Sequence, residues 1–151
     1  MNCNKRRIGI LLLLAVVLSF ILTNCIGFNA ETGFLGVLYT VVSVVFSVGM
    51  GMIYSLNPGR IANPDYYKAI KESITIVRDT SVVLFSLISL FFLISQVMRD
   101  ANIVDEVSFS GLLFSSSSFA FSFSCMGLLY YVLNFGRLQD LNYEIEERMR
   151  S

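Results

Sequence analysis

The amino-acid sequence predicts an all-α fold, an integral membrane bundle of four helices in which the third and fourth helices extend into the cytoplasm. Hydrophobic residues make up 55% of the 151 residues and charged residues only 15%, whereas soluble domains carry about 25% charged residues. Four runs without a formal charge have 23, 28, 19 and 30 residues, at 8–30, 32–59, 80–98 and 107–136. Since about 20 apolar residues of helix cross a bilayer, each run is long enough to span it.

The four runs are predicted to be helices because a transmembrane strand needs only about 10 residues and backbone groups in lipid must pair internally. The second helix is expected to lie within its own uncharged run. The third is expected to start near Pro64 and to end near Met98. The fourth is expected to continue past Gly136 as an amphipathic tail. One transmembrane domain then covers residues 1–151, with spans at about 8–29, 34–56, 78–98 and 108–134 and cytoplasmic segments at 57–77 and 135–151.

The basic residues predict the orientation of the chain. If the N-terminus is cytoplasmic, ten of the 11 Lys and Arg residues face the cytoplasm and only Arg99 faces outward, as the positive-inside rule requires. Both termini are therefore expected in the cytoplasm. A competing interpretation is a lipoprotein signal with Cys25 as the lipidated residue. Asn24 argues against it because the position before such a cysteine is usually Gly, Ala or Ser, so a retained first helix is favoured.

The sequence argues against an enzyme. It contains no His, which is the usual proton shuttle, zinc ligand and base of nucleophile systems. Ionisable side chains are missing from the interior of the spans, which disfavours energy-coupled transport, and no glycine loop of the phosphate-binding kind occurs. The three cysteines are too scattered for a disulfide framework or a metal pair. We therefore expect no catalytic residues, no cofactor and no metal site.

The second helix carries a small-residue stripe with intervals of four, three, four and four residues. This spacing places all members on one face, where small and hydroxyl residues let helices in lipid approach closely. The stripe is interpreted as a helix-packing seam within the chain, with a subunit interface or a pore lining as the open alternatives. Its members are Gly36, Thr40, Ser43, Ser47 and Gly51.

The fourth helix is predicted to begin near Ser108 and is unusually rich in serine and phenylalanine. Serine hydroxyls can bond to the carbonyl one turn earlier, and serine on every face indicates packing on several sides. We expect this helix to be central in the bundle, with a water-lined conduit as the alternative. The serines are Ser108, Ser110, Ser115, Ser116, Ser117, Ser118, Ser122 and Ser124.

Two apolar stripes follow the predicted helices into the cytoplasm. Asn63 and Pro64 are suited to the cap and the first position of the third helix. The stripes are interpreted either as packing on each other beneath the bilayer or as docking a soluble partner in the helix-in-groove mode. The candidate docking residues are Tyr67, Ile70, Ile74, Leu138, Leu141, Ile145 and Met149.

The segments 38–42 (Leu-Tyr-Thr-Val-Val) and 46–50 (Phe-Ser-Val-Gly-Met), followed by the connection 57–78, carry a family resemblance. Over residues 33–80, about a third of the chain, it resembles KwaA, the four-helix membrane subunit of the Kiwa bacterial anti-phage system. The resemblance implies a multi-pass inner-membrane protein that forms a homo-oligomer, a tetramer. It also implies sensing of envelope perturbation during phage attachment, together with a cytoplasmic KwaB-like DNA-binding partner.

The size, the four spans and the basic connection after the second helix are also similar to RexB, a prophage exclusion protein regarded as an ion channel. Two functions therefore stay open. The first is a non-enzymatic sensor subunit for antiviral defence that recruits a soluble partner and binds no nucleic acid itself. The second is an oligomeric ion channel or pore that acts in abortive infection.

Overall fold

Four long helices and one short hairpin make up the fold in a computed structural model that describes residues 2–28, 30–56, 64–101, 106–109 and 112–150. Contacts between aromatic rings join the start of the second helix to the end of the third, and hydroxyl contacts join the end of the third to the start of the fourth. These neighbouring helices therefore run in opposite directions. The elements are α1 (Asn2–Ile21) with a π-helical turn (Leu22–Ile26), α2 (Thr32–Ser55), α3 (Pro64–Asp100), β1 (Glu106–Phe109), β2 (Leu112–Ser115) and α4 (Ser116–Arg150).

The all-α fold class is confirmed. Within the described ranges four helices are long and apolar enough to cross a membrane, at Ile8–Ile26, Gly33–Ser55, Tyr67–Asp100 and Ser116–Tyr143. A single hydrophobic core draws on all four of them. Its buried members are Ala15, Val42, Ile53, Leu84, Ile88, Phe119, Phe123, Tyr131, Phe135 and Leu138.

The helices α3 and α4 run without a break through the predicted membrane boundary, which confirms the prediction of continuous helices. Pro64 is the first residue of α3, where its fixed φ suits a helix start. Asp65 in the first turn and Arg99 in the last complement the helix dipole. The predicted cap Asn63 lies outside the described residues.

The prediction that the fourth helix begins near Ser108 is wrong. Residues Glu106–Phe109 and Leu112–Ser115 instead pair as an antiparallel hairpin, with Val107 opposite Phe114. The sequence from 107 to 110 alternates apolar and serine residues and is followed by Gly111, a pattern that favours a strand and a turn. Ser115 then caps α4, because its Oγ accepts a 3.4 Å bond from the Ser118 N–H.

The prediction that the fourth helix is central is confirmed. Of the residues in its most apolar stretch 44% are buried, against 17–22% for the other three helices. Two glycines permit close packing around it. A Cβ at Gly49 of α2 would overlap the Phe135 ring of α4, and a Cβ at Gly127 of α4 would overlap Ile88 of α3.

Aromatic rings join α2 to α3. Tyr39 stacks on Phe92 with ring centroids 4.3 Å apart, and Phe46 stacks on Phe85 at 4.2 Å. The Tyr39 hydroxyl also lies 2.9 Å from the Ser89 Oγ. Such offset and stacked pairs contribute about 0.5–1.5 kcal/mol each beyond the burial of their area.

Candidate functional site at the two ends of the bundle

Polar side chains from three segments meet at the end of the bundle where α3 stops and α4 starts. We name Asn24, Ser95, Arg99, Ser117 and Ser118 the outer polar cluster, after the orientation predicted from the sequence. The Arg99 Nη2 donates to the Ala30 carbonyl at 2.7 Å and to the Ser117 Oγ at 2.8 Å. Hydrogen bonds that involve a charged donor contribute about 1.5–3 kcal/mol each, so Arg99 holds the end of α3 to the start of α2 and of α4.

Serine hydroxyls extend the outer polar cluster across α4. The Ser117 Oγ lies 3.3 Å from the Ser95 Oγ of α3, and both side chains are buried. On the adjacent face the Ser118 Oγ donates to the Phe28 carbonyl at 2.8 Å. The serines of α4 therefore bond to protein atoms on two sides within a single chain, which is the packing role predicted for them.

Asn24 connects the first helix to the hairpin. Its Oδ1 accepts a 3.0 Å bond from the Leu113 N–H, and its Nδ2 donates to the Leu113 carbonyl at 2.9 Å. The amide side chain thus pairs with β2 as a neighbouring strand would. The π-helical turn that carries Asn24 ends at Gly27, whose φ of 66° suits a glycine cap.

Removal of this amide is expected to release the hairpin. Asn24→Ala deletes both bonds to Leu113, and a net loss of about 1 kcal/mol for each bond predicts that the Leu113 amide opens at least ten-fold more often. Hydrogen exchange of the 112–115 segment measures this opening. Cys25→Ala, a change at the exposed neighbouring position, is the control and should leave exchange unchanged. Equal exchange in both variants would contradict the role of Asn24.

The small-residue stripe of α2 lies mainly on the outside of the bundle. Thr40, Ser47 and Gly51 are exposed, while Gly36 and Ser43 are half-buried. The hydroxyls donate to carbonyls four residues earlier, at 2.9 Å for Thr40 and 2.8 Å for Ser47. The tight packing inside the chain falls on other small residues, above all Gly49. The stripe is thus free of neighbours over most of its length.

The two apolar stripes that are predicted to extend into the cytoplasm lie partly in the core. Ile70 and Leu138 are each 4% exposed, and Ile74 packs against the core cluster that contains Leu138. These positions match the interpretation in which the stripes pack within the chain. Tyr67 and Leu141 are half-buried. The predicted docking residues Ile145 and Met149 belong to α4, but their side chains lie outside the described ones.

A recess opens at the end of the bundle that is predicted to face the cytoplasm, between the end of α2 and the last turns of α4. We call it the inner recess. It has a volume of about 350 Å³, within the range of ligand and side-chain pockets in proteins. Apolar and polar groups alternate around it, and Tyr143 at its edge is 70% exposed. Its lining residues are Met52, Ser55, Leu56, Leu138, Gln139, Asn142 and Tyr143.

Sequence reasoning missed three contributors to these ends. In the sequence, Asn24 served only as an argument against a lipoprotein signal. Arg99 served only as the single cation that faces outward in the predicted orientation. The isolation of Arg99 at the predicted outer boundary indicates a structural role, because a lone cation at a helix end usually has a structural partner. Tyr143 was passed over as part of a charged tail.

The described residues include no group of three His, Cys, Asp or Glu side chains that could hold a metal ion. Cys25 is an exposed free thiol and Cys125 a half-buried one. Comparison with protein-family models, with curated proteins and with solved structures yields no match to the chain.

Proposed function

We propose that this chain is a non-enzymatic subunit in the bacterial inner membrane that senses perturbation of the envelope and recruits a soluble cytoplasmic partner in anti-phage defence. One observation carries the proposal: α4 runs without a break from Ser117 of the outer polar cluster to the lining of the inner recess, and α3 is bonded to it at that cluster. A displacement at one end of such rigid helices is transmitted to the other.

Two charged levels support insertion of the helices in a bilayer. Arg99 donates to Ser117, so these two residues lie at one level. At 1.5 Å per residue, Arg78 lies about 32 Å along α3 from Arg99, and Arg137 about 30 Å along α4 from Ser117. The hydrocarbon core of a bilayer is about 30 Å thick, so both helices have the right length between their charged residues.

The positive-inside rule supports placing Arg78 and Arg137 at the cytoplasmic surface. From these residues α3 continues for about 21 Å to Pro64 and α4 for about 20 Å to Arg150. The outer side holds only short connections and the hairpin. A soluble partner therefore has more surface available on the cytoplasmic side.

The inner recess is the contact that we propose for the partner, a KwaB-like DNA-binding protein in keeping with the sequence resemblance. Its volume and its exposed Tyr143 suit an anchoring side chain from another protein, since tyrosine is enriched among residues that dominate binding energy. Ile70 and Leu138 contribute by holding the extensions to the core. Nucleic acid is contacted only by the partner in this proposal.

Filling the inner recess is expected to release the partner. Asn142→Trp places a large ring at the exposed lining position, and it should reduce copurification of a co-expressed KwaB-like protein at least ten-fold. Asp140→Trp, at an exposed position outside the recess, is the matched control and should retain the partner. Phage plaque counts on cells with each variant report the same difference as loss or retention of protection. Full copurification with Asn142→Trp would contradict this docking site.

The small-residue stripe is proposed as the contact between copies in a homo-oligomer, a tetramer. Its exposed members bond their hydroxyls internally, and helices in lipid associate through such small residues. Thr40→Cys in a background without native cysteines is expected to cross-link copies in the membrane. Val37→Cys, on the same helix beside the stripe and exposed, should cross-link far less.

An oligomeric ion channel is the second candidate, because exposed Thr40 and Ser47 would give such a pore a hydroxyl lining. Ser117, Ser118, Ser122 and Ser124 of α4 are buried within the chain, so the lining would come from α2. Potassium loss from cells that express the chain favours this candidate. Bilayer recordings that stay silent under tension and depolarisation oppose it.

A further inference from the structure

We propose that a groove between α1 and α4 holds an acyl chain of an anionic phospholipid from the cytoplasmic leaflet. This lipid groove has a volume of about 490 Å³, and its lining includes Ile10, Leu11, Met126, Leu129, Leu133 and Arg137. The proposal rests on the membrane insertion proposed above and is independent of the partner. It gives the chain a bound lipid, and it explains why cations lie at one end of the groove.

The length of the groove matches one leaflet. Met126 and Arg137 mark its two ends on α4, and at 1.5 Å per residue they are about 16 Å apart. Half of a hydrocarbon core of about 30 Å is about 15 Å. Leu129 is 57% exposed and Leu133 67% exposed, so the groove opens sideways to the bilayer and an acyl chain can enter it from there.

Positive charge lies at one end of the groove. Arg137 is exposed at its cytoplasmic end, and Arg6 is exposed one turn before Ile10 on α1. Within the described chain neither guanidinium forms an ion pair, and Asp140, the nearest acidic residue along α4, is not bonded to Arg137. A guanidinium matches a phosphate in shape and charge. A phospholipid phosphate at this level therefore completes a site whose remaining lining is apolar except for Tyr130 and Asn134.

A second copy of the chain suits this groove poorly. A two-fold contact brings the same residues of both copies together, so two Arg137 side chains would face each other across the apolar groove. Like charges at such a contact oppose association. An anionic lipid brings no such repulsion, because its headgroup is attracted to Arg137. Basic pockets between membrane helices on the cytoplasmic side suit anionic headgroups.

Native mass spectrometry of the full chain with equimolar phosphatidylglycerol and phosphatidylcholine tests the site. The wild-type chain is expected to carry at least five times more phosphatidylglycerol than phosphatidylcholine. Arg137→Gln should lower that preference about five-fold, the factor for one basic residue at an anionic surface. Lys68→Gln, which removes an exposed cation from the extension of α3, is the control and should keep it.

A second pair of variants tests the groove itself. Leu133→Trp should fill it and lower the total bound lipid at least five-fold, whereas Val132→Trp, on another exposed face of α4, should not. Equal lipid preference in wild type and Arg137→Gln, or equal total lipid in the two tryptophan variants, overturns the proposal.

The failure of this proposal is distinguishable from failure of the proposed function. Retention of the wild-type chain in carbonate-washed membranes tests insertion separately. Loss of the chain from those membranes overturns both. Retention together with absent lipid preference overturns the lipid groove alone.

Discussion

The substitution Gly49→Ala is expected to lower the free energy of unfolding by about 2–3 kcal/mol, the upper part of the range for overpacking a core. The added methyl group would overlap the Phe135 ring. That ring is buried and stacks on Tyr131 with centroids 5.8 Å apart, so it has little room to move. Unfolding of the purified chain in mixed micelles, followed by helical circular dichroism, measures the loss.

Gly51→Ala is the matched control on the same helix. Nothing lies within 4 Å of a Cβ built at Gly51, and alanine is favoured over glycine in a helix by about 1 kcal/mol. When both are measured as monomers in micelles, this variant should therefore be as stable as the wild-type chain or more so. In a Phe135→Ala background, where the ring is gone, Gly49→Ala should cost less than about 0.5 kcal/mol. Equal stability of the Gly49 and Gly51 variants would contradict the close contact of α2 with α4.

The second large effect is expected at Arg99. Arg99→Ala removes the charged bonds to the Ala30 carbonyl and the Ser117 hydroxyl, and it should lower the free energy of unfolding by about 2–3 kcal/mol. The reason is that the start of α2 and the start of α4 lose their common donor. Faster hydrogen exchange near residues 30–35 and 116–118 should accompany the loss.

Arg78→Ala is its control. Arg78 lies on the same helix and forms a 2.9 Å ion pair with the adjacent Asp79, and the two side chains are 42% and 54% exposed. Exposed ion pairs contribute about 0–1 kcal/mol, so this change should be small. A cost at Arg78 as large as that at Arg99 would show that the outer polar cluster has no special role in stability.

Most of the fold was predictable from the sequence because charge sets where apolar helices end. The runs without charge predicted four helices, and Pro64 predicted the start of α3. The hairpin was missed because its residues are apolar or hydroxyl-bearing and so extend the uncharged run. The alternation of Val107 and Phe109 with serines was the available signal for a strand. The length of the uncharged run nevertheless favoured a helix over the whole segment.

The candidate site was less predictable. Small residues at helical spacing identify a face but not its neighbour, so the stripe around Thr40 was assigned to packing although the tight contact falls on Gly49. Long-range bonds such as that of Asn24 to Leu113 depend on how helices and the hairpin meet. The residues next to Asn24 in the sequence do not indicate that contact.

We propose that the chain crosses the bilayer four times with both helical extensions in the cytoplasm. The most direct test of this claim is labelling of single cysteines at Ala101, Lys68 and Gln139, in a chain without native cysteines, by a membrane-impermeant maleimide. We expect Ala101→Cys to react in cells whose outer membrane has been permeabilised, and Lys68→Cys and Gln139→Cys to react only after the inner membrane is opened. Reaction of either extension before that step would contradict the claim.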